Sequence, residues 1–199
     1  MLLFTHPAML RHEVPPGHSE RPARLEAVLK GLEPLGLAKR EAPEALRSQI
    51  ARVHPSAYID VIDLALERAE RGILALDADT YVGPNSREAI YRAAGAVVAA
   101  VDAVMAGDDV GAFCAVRPPG HHAEPKAAMG FCVFNNVAIA AMHALVAHGL
   151  SRVAIVDFDV HHGNGTQALA EREERLFFAS THQSPLYPGT GFERETGIA

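Results

Sequence analysis

Short, continuously apolar runs alternate with longer stretches of helical spacing along this chain. The runs at Leu2–Thr5, Gly111–Val116, Val153–Val160 and Leu176–Thr181 read as strands without polar alternation, the pattern of parallel strands covered on both faces. Helical spacing fills the intervals. Pro22 to Lys30 carries Leu25, Val28 and Leu29, with Gly31 in the position of a residue past the helix end. After the His54-Pro55 break, Ser56 is placed to cap a helix whose Tyr58, Ile59, Ile62, Leu66 and Ala69 share one face, ending at Gly72. Asn85 followed by Glu88 resembles a capping box ahead of an Ala-rich helix from Arg87 to Met105. Gly95 inside it costs roughly 1 kcal/mol against Ala and suggests close packing on the sheet. Asn135 opens a helix to about His148, and Thr166 to Arg175 is a charged helix. The Pro-rich segment from His6 to Arg24, the acidic segment Asp77–Pro84 and the tail from Pro185 to Ala199 read as loops. Ala42 to Ile50 has no clear pattern. Strands alternating with helices predict one α/β domain over residues 1–199, a three-layer α/β/α arrangement with a mostly parallel sheet.

Composition narrows the class. The 199 residues are 49% hydrophobic and 21% charged, with a formal net charge of −6 and a sequence pI near 6.0. That supports a sizeable core and argues against a nucleic-acid footprint or a polybasic membrane anchor. Cys114 and Cys132 are too few for a disulfide scaffold, so a reducing, cytoplasmic setting is expected. No apolar run approaches the ~20 residues of a membrane span, and the first residues lack the basic and long apolar regions of a signal peptide. Oligomeric state is not legible.

The chemistry concentrates in Ile155-Val156-Asp157-Phe158-Asp159-Val160-His161-His162-Gly163-Asn164-Gly165. If the strand continues, Asp157, Asp159 and His161 point to one face at its carboxyl end, where α/β folds place their sites. Charges leave water there only when paired or metal-bound, and Asp with neutral imidazole is a common zinc set. The competing reading is a solvated loop. Arg117-Pro118-Pro119-Gly120-His121-His122 follows another strand; its two imidazoles suit either base-and-acid work on a metal-bound water or a structural pair on a Pro-Gly turn. Gly130-Phe131-Cys132-Val133-Phe134-Asn135-Asn136 offers Phe131 to a narrow slot, or is a core segment leading to a helix. His18-Ser19-Glu20-Arg21-Pro22 reads equally as a surface loop with a helix start or as part of a site. His143 and His148 read as ordinary helix residues rather than ligands.

Taken together, Arg-Pro-Pro-Gly-His-His, Gly-Phe-Cys-x-Phe-Asn-Asn, Asp-x-Asp-x-His-His-Gly-Asn-Gly-Thr-Gln and Tyr187-Pro188-Gly189-Thr190-Gly191 resemble the zinc-dependent histone deacetylase family, which includes bacterial acetylpolyamine amidohydrolases and acetoin-utilisation proteins. Asp77-Ala78-Asp79-Thr80 and the His-Ser-Glu-Arg-Pro segment also fit, with Ser19 where many members have Pro. Asn164, Thr166 and Gln167 resemble the class II branch. The resemblance implies the family's arginase/deacetylase-like fold. It implies Asp159 and His161 as zinc ligands, with Asp157 orienting His121 and Asn164 orienting His122. His121 and His122 would share base and acid duties in hydrolysing an acetylated small amine or protein lysine. Gly130, Phe131 and Tyr187 would line the acyl-amine channel, with Asp79 at its rim. A potassium ion is implied beside Asp157, Asp159, His161, Ser180 and Thr181, in an oxygen cage of the kind hard cations favour. The paired-manganese ureohydrolases share the fold, but their Asp-x-His-x-Asp motifs do not occur here. In the family a third ligand Asp and a Gly-Gly-Tyr come from later strands, and neither is found within these residues. The expectation is therefore a fold incomplete at its C-terminal end, with an exposed sheet edge. The alternative is a non-catalytic relative that binds an acetylated ligand or a partner protein.

Overall fold

The computed structural model describes residues 1–197, so the end of the predicted tail loop, Ile198 and Ala199, lies outside the described residues. Three parallel strands form one ladder. β1 (Leu2–Thr5) lies between β2 (Ala38–Glu41) and β5 (Ala112–Cys114), with Leu2 opposite both Ala38 and Ala112. A second parallel pair joins β6 (Val153–Asp157) to β7 (Leu176–Ser180) in a register that sets Asp157 opposite Ser180. A small antiparallel hairpin, β3 (Leu74–Ala75) with β4 (Tyr81–Val82), carries the acidic turn. Helices connect the strands: α1 (Pro22–Leu32), α2 (Arg47–Ile50), α3 (Ser56–Ala69), α4 (Ser86–Met105), α5 (Asn136–Ala147) and α6 (Asn164–Ala170), with α1 crossing from β1 to β2 and α6 from β6 to β7.

Leu2, Leu3 and Phe4 are all buried. Successive strand residues face opposite ways, so β1 must be covered on both sides. Leu25 of α1 and the alanines at 89, 93, 96, 100 and 103 of α4 belong to the core around it. Those alanine spacings follow one helical stripe. Ile90, Tyr91, Ala94 and Val98 of α4 enter a second core with α3, α5, Ile155 and Leu176. α4 is thus sandwiched between two cores, which explains its small residues. Gly95 permits a closer approach than the expected packing on the sheet. A Cβ there would collide with the Pro43 carbonyl and lie 2.7 Å from the Ala45 nitrogen, so the partner is the Pro43–Ala45 loop. The predicted inward face of α3 is buried at all five positions.

Several expectations need correction. The strand predicted to run to Val160 stops at Asp157, and the run predicted over Gly111–Val116 forms a strand only at Ala112–Cys114. Neither is fully buried: Val156 is 65% exposed and Phe113 38%. β5 and β6 each end a ladder, so each has an edge without a strand partner among the described residues. Between them lies an apolar groove lined by Val97, Cys114, Val116, Val137, Ile155 and Val156. Gly31 does not end α1, which runs through it; Pro34 lies in a short 3-10 turn after the helix, and Gly36 supplies the left-handed residue at φ 58°. Pro55, not Ser56, precedes the first turn of α3. Asn85 makes no cap; its amide donates to Glu13 at 2.9 Å, while Ser86 Oγ accepts the Gly83 N–H. α6 starts at Asn164 rather than Thr166 and ends at Ala170. β2 and the hairpin lie in segments where the sequence predicts no strand. All four β2 residues are exposed, so no hydrophobic pattern marks this edge strand. The predicted Asn135 cap is present, with its carbonyl oxygen accepting the Ala138 N–H at 3.0 Å.

Candidate active site

The carboxyl ends of β5, β6 and β7 carry the loops that hold most of the candidate residues. After Asp157 the backbone turns, because each Asp captures an N–H two residues ahead. Asp157 Oδ1 accepts the Asp159 N–H at 3.1 Å, and Asp159 Oδ1 accepts the His161 N–H at 2.8 Å. These turns, not strand alternation, set the positions of Asp159 and His161. The expected single strand face is therefore wrong, although the three side chains still gather in one region.

Two histidine dyads result. His121 Nδ1 lies 2.9 Å from Asp157 Oδ2, and His122 Nδ1 lies 2.9 Å from Asn164 Oδ1. The second dyad fixes its own proton. Asn164 Nδ2 donates to Glu124 Oε1 at 2.9 Å and faces the His122 carbonyl at 3.4 Å, so Oδ1 is the acceptor toward the ring. His122 must then carry hydrogen on Nδ1 and present a bare Nε2 when neutral. Burial lowers its pKa to about 4, and the neighbouring His121 adds to the effect, so it is neutral at pH 7. The two rings are tilted at 44° to each other with centroids 4.0 Å apart. Asp157 is held below the usual carboxylate range. Burial opposes this, but the His121 hydrogen bond and the Asp159 N–H outweigh it.

His161 Nδ1 is 3.0 Å from Asp159 Oδ1, and its ring centroid is 5.9 Å from that of His122. An imidazole nitrogen and a carboxylate oxygen at that separation suit adjacent positions on a tetrahedral zinc, whose donors at ~2.0–2.1 Å stand about 3.3 Å apart. Both side chains are partly open to solvent, at 37% and 48%. Among the described residues no third His, Cys, Asp or Glu donor forms a compact group with them. The donor set present therefore fits two positions of a metal. His182 is not free to supply a third, since Nδ1 faces Ser180 Oγ at 2.9 Å and Nε2 faces the Gly191 carbonyl at 3.0 Å.

A wall rises beside the dyads. Tyr187 sits edge-on to His122 at 5.1 Å and to His161 at 6.1 Å. Gly130 adopts φ 55°, and a Cβ there would strike the His122 ring, so only glycine allows this contact. Phe131 follows with φ 70°, a strained value for a residue with a side chain. Its N–H donates to Thr80 Oγ1 at 3.0 Å, tying the strained turn to the hairpin. Asp79 lies on that hairpin turn; its carbonyl meets His18 Nε2 at 3.0 Å, and its carboxylate accepts from the Thr80 hydroxyl. Ser180 and Thr181 stand next to Asp157 across the strand pair, with the Thr181 N–H on the Asp157 carbonyl at 3.0 Å.

Four residues of the site have roles that the sequence alone does not assign. His18 packs edge-on against Phe131 at 5.0 Å and so belongs to the same cluster as Phe131 and Asp79. Glu20 and Arg117 form a buried ion pair at 2.8 Å, and Arg117 also donates to the carbonyls of Met9 and His12. This pair anchors the start of the loop that ends in His121 and His122. Opposite charges in the His-Ser-Glu-Arg-Pro and Arg-Pro-Pro-Gly-His-His segments were the available signal. Glu124, which orients Asn164, had none.

Residues 18–199 match the family model described as the histone deacetylase domain. The chain is 43% identical over 176 residues to a histone deacetylase-like amidohydrolase of Pseudomonas aeruginosa, covering 86% of this chain and 46% of that protein. It is 41% identical over 171 residues to the human polyamine deacetylase HDAC10, covering 82% of this chain and 26% of that one. A crystal structure of the HDA15 HD domain superimposes with a TM-score of 0.92 at 36% identity, covering all of this chain and 60% of that one. The chain spans about half the length of the curated relatives it matches.

Proposed function

Since the chain belongs to the histone deacetylase family, we propose that it carries the greater part of a site that hydrolyses an acetylated amine to acetate and the free amine. One observation carries the reading: two oriented imidazoles, His121 on Asp157 and His122 on Asn164, face the same region as the Asp159–His161 donor pair. Asp159 and His161 would hold a zinc ion together with a donor from outside the described residues. When bound, zinc polarises the acetamide carbonyl and acidifies a water. The chain's own groups do the rest. His122, neutral with Nε2 bare, is suited to take a proton from the attacking water. His121, its Nδ1 set by Asp157, is placed to give a proton to the departing nitrogen. Phe131 and Tyr187 exclude water from the acyl chain, and the Gly130 backbone approaches it closely. Asp79 at the rim would bind the amine-bearing part of the substrate. The Asp157–Ser180 register supports a potassium ion beside Asp157, Asp159, His161, Ser180 and Thr181.

The substrate class remains part of the proposal: an acetylated polyamine or an acetylated protein lysine both fit a narrow channel with a carboxylate at its rim. The test is acetate release from an acetyl-lysine peptide and an acetylpolyamine, with and without a chelator, by this chain and by a longer protein containing it. Chelator-sensitive release by the longer protein and none by residues 1–199 is the expected result. No release by either would overturn the hydrolase reading. It would favour binding of an acetylated ligand or partner protein without turnover.

A further inference from the structure

At the carboxyl ends of α4 and α5, far from the dyads, Asp102, His143 and His148 bring a carboxylate oxygen and two imidazole nitrogens within 4.8 Å of one another. His143 Nε2 lies 2.6 Å and His148 Nε2 2.7 Å from the same atom, Asp102 Oδ1. Asn136, at the start of α5, donates to the Pro118 carbonyl in the loop that leads to His121, whereas His148 follows the last residue of that helix. Twelve helical residues span about 18 Å, so the two regions stand at opposite ends of α5.

The geometry points to a second metal site here, in which Asp102, His143 and His148 bind a borderline divalent cation, zinc foremost, with water at the fourth position. The chemistry is that of a nitrogen, nitrogen, oxygen set in tetrahedral geometry. Donors on one zinc stand about 3.3 Å apart, so the present contacts of 2.6 and 2.7 Å need open by only about 0.6–0.7 Å. His143 is buried and fixed, while His148 and Asp102 are 25% and 52% exposed, which leaves a path for the ion and a place for its water. Asp102 lies in the last turn of α4, where the helix dipole disfavours a carboxylate and a cation offsets it.

Arg52 acts as a competitor built into the site. Its Nη1 lies 2.5 Å from His143 Nδ1. An arginine can only donate, so Nδ1 is the acceptor and the ring proton sits on Nε2, pointing at Asp102. Coordination through Nε2 moves that proton to Nδ1, and the ring stays neutral. Arg52 must then withdraw. An ion bound here would clip α4 to α5, which pack against each other in the larger core.

The site is tested without reference to turnover. In the Asp159→Ala/His161→Ala chain, the active-site donors are gone. Zinc titration by calorimetry and the visible absorption of cobalt report binding, and the melting temperature reports coupling to the fold. One zinc per chain and a zinc-dependent rise in melting temperature are expected. His148→Ala should weaken binding more than about tenfold. Arg52→Gln should tighten it, an effect that a hydrogen-bonded cluster with no metal affinity would not produce. Asp102→Asn keeps the shape and an Oδ1 that can accept from both rings but should lose the ion, which guards against misfolding of the histidine variant. Absence of stoichiometric binding in the Asp159→Ala/His161→Ala chain, or binding that survives both His148→Ala and Asp102→Asn unchanged, would overturn the inference.

Discussion

Asn164 and Asp157 do different things to otherwise similar rings. Both fix the tautomer by bonding Nδ1, but only Asp157 adds a negative charge. Burial and the neighbouring His121 leave His122 a base with its pKa at about 4, which the Asn164 hydrogen bond only partly offsets, while Asp157 keeps a counter-charge beside His121. The roles of these groups therefore separate in a variant series of a catalytically active protein carrying this segment. His122→Ala should keep its zinc and lose activity by about 10²–10⁴. Asp159→Ala should lose the zinc itself, since a charged donor is removed. Asp157→Asn should retain metal and slow turnover, because His121 loses its orienting carboxylate. Metal content measured beside rate separates these outcomes. Full metal retention in Asp159→Ala would show the donor assignment to be wrong.

Helices and strands were legible to different degrees, for physical reasons. α3 and α4 carry long apolar stripes that spacing reveals, whereas α5 is apolar nearly all round and is marked by Asn135 at its start. β2 is solvated along its length, and its Ala-Lys-Arg-Glu offers no pattern to read. The site was legible as residues but not as geometry. Continuing β6 to Val160 put Asp157, Asp159 and His161 on one strand face, whereas two side-chain-to-backbone turns place them. Such competition by Asp for local N–H groups has no signature in hydrophobic period. Gly95 shows the same limit in α4. Helix propensity alone makes Gly95→Ala stabilising by roughly 1 kcal/mol. The Pro43–Ala45 backbone lies too close for a methyl group, and the Ala45 N–H is already committed to the Tyr91 carbonyl at 2.9 Å. Overpacking of this kind costs typically about 1–3 kcal/mol. Gly95→Ala should therefore lower the urea midpoint at an unchanged slope. A raised midpoint would mean that the loop yields freely and that propensity governs the position.

At the scale of the molecule, two cores meet at α4, and a buried histidine stands at a junction in each. His54 accepts the Asn135 N–H on Nε2 at 2.9 Å, and its Nδ1 faces the Pro125 carbonyl at 3.2 Å. Those partners demand a neutral ring with hydrogen on Nδ1, and burial lowers its pKa to about 4. His12, against Ser86 at 2.7 Å, is lowered to about 3 by burial and by the Arg117 guanidinium. In the unfolded chain both rings take up a proton near the ordinary value of about 6.5. Between that pH and about 4 the unfolded state thus binds protons that the native state refuses. The stability these rings contribute is complete above pH 6.5 and is lost as pH falls toward their native values, by as much as ~1.4 kcal/mol per pH unit for each ring. Carboxylates held low by partners, such as Asp157, lose their contribution only at more acidic pH. Urea midpoints measured from pH 7.5 to 4.5 should fall steadily, with the slope beginning near pH 6.5. His54→Gln, whose amide can replace one hydrogen bond without titrating, should start from a lower midpoint and show a shallower decline. A midpoint that stays level across this window would mean that neither ring is kept neutral by the fold.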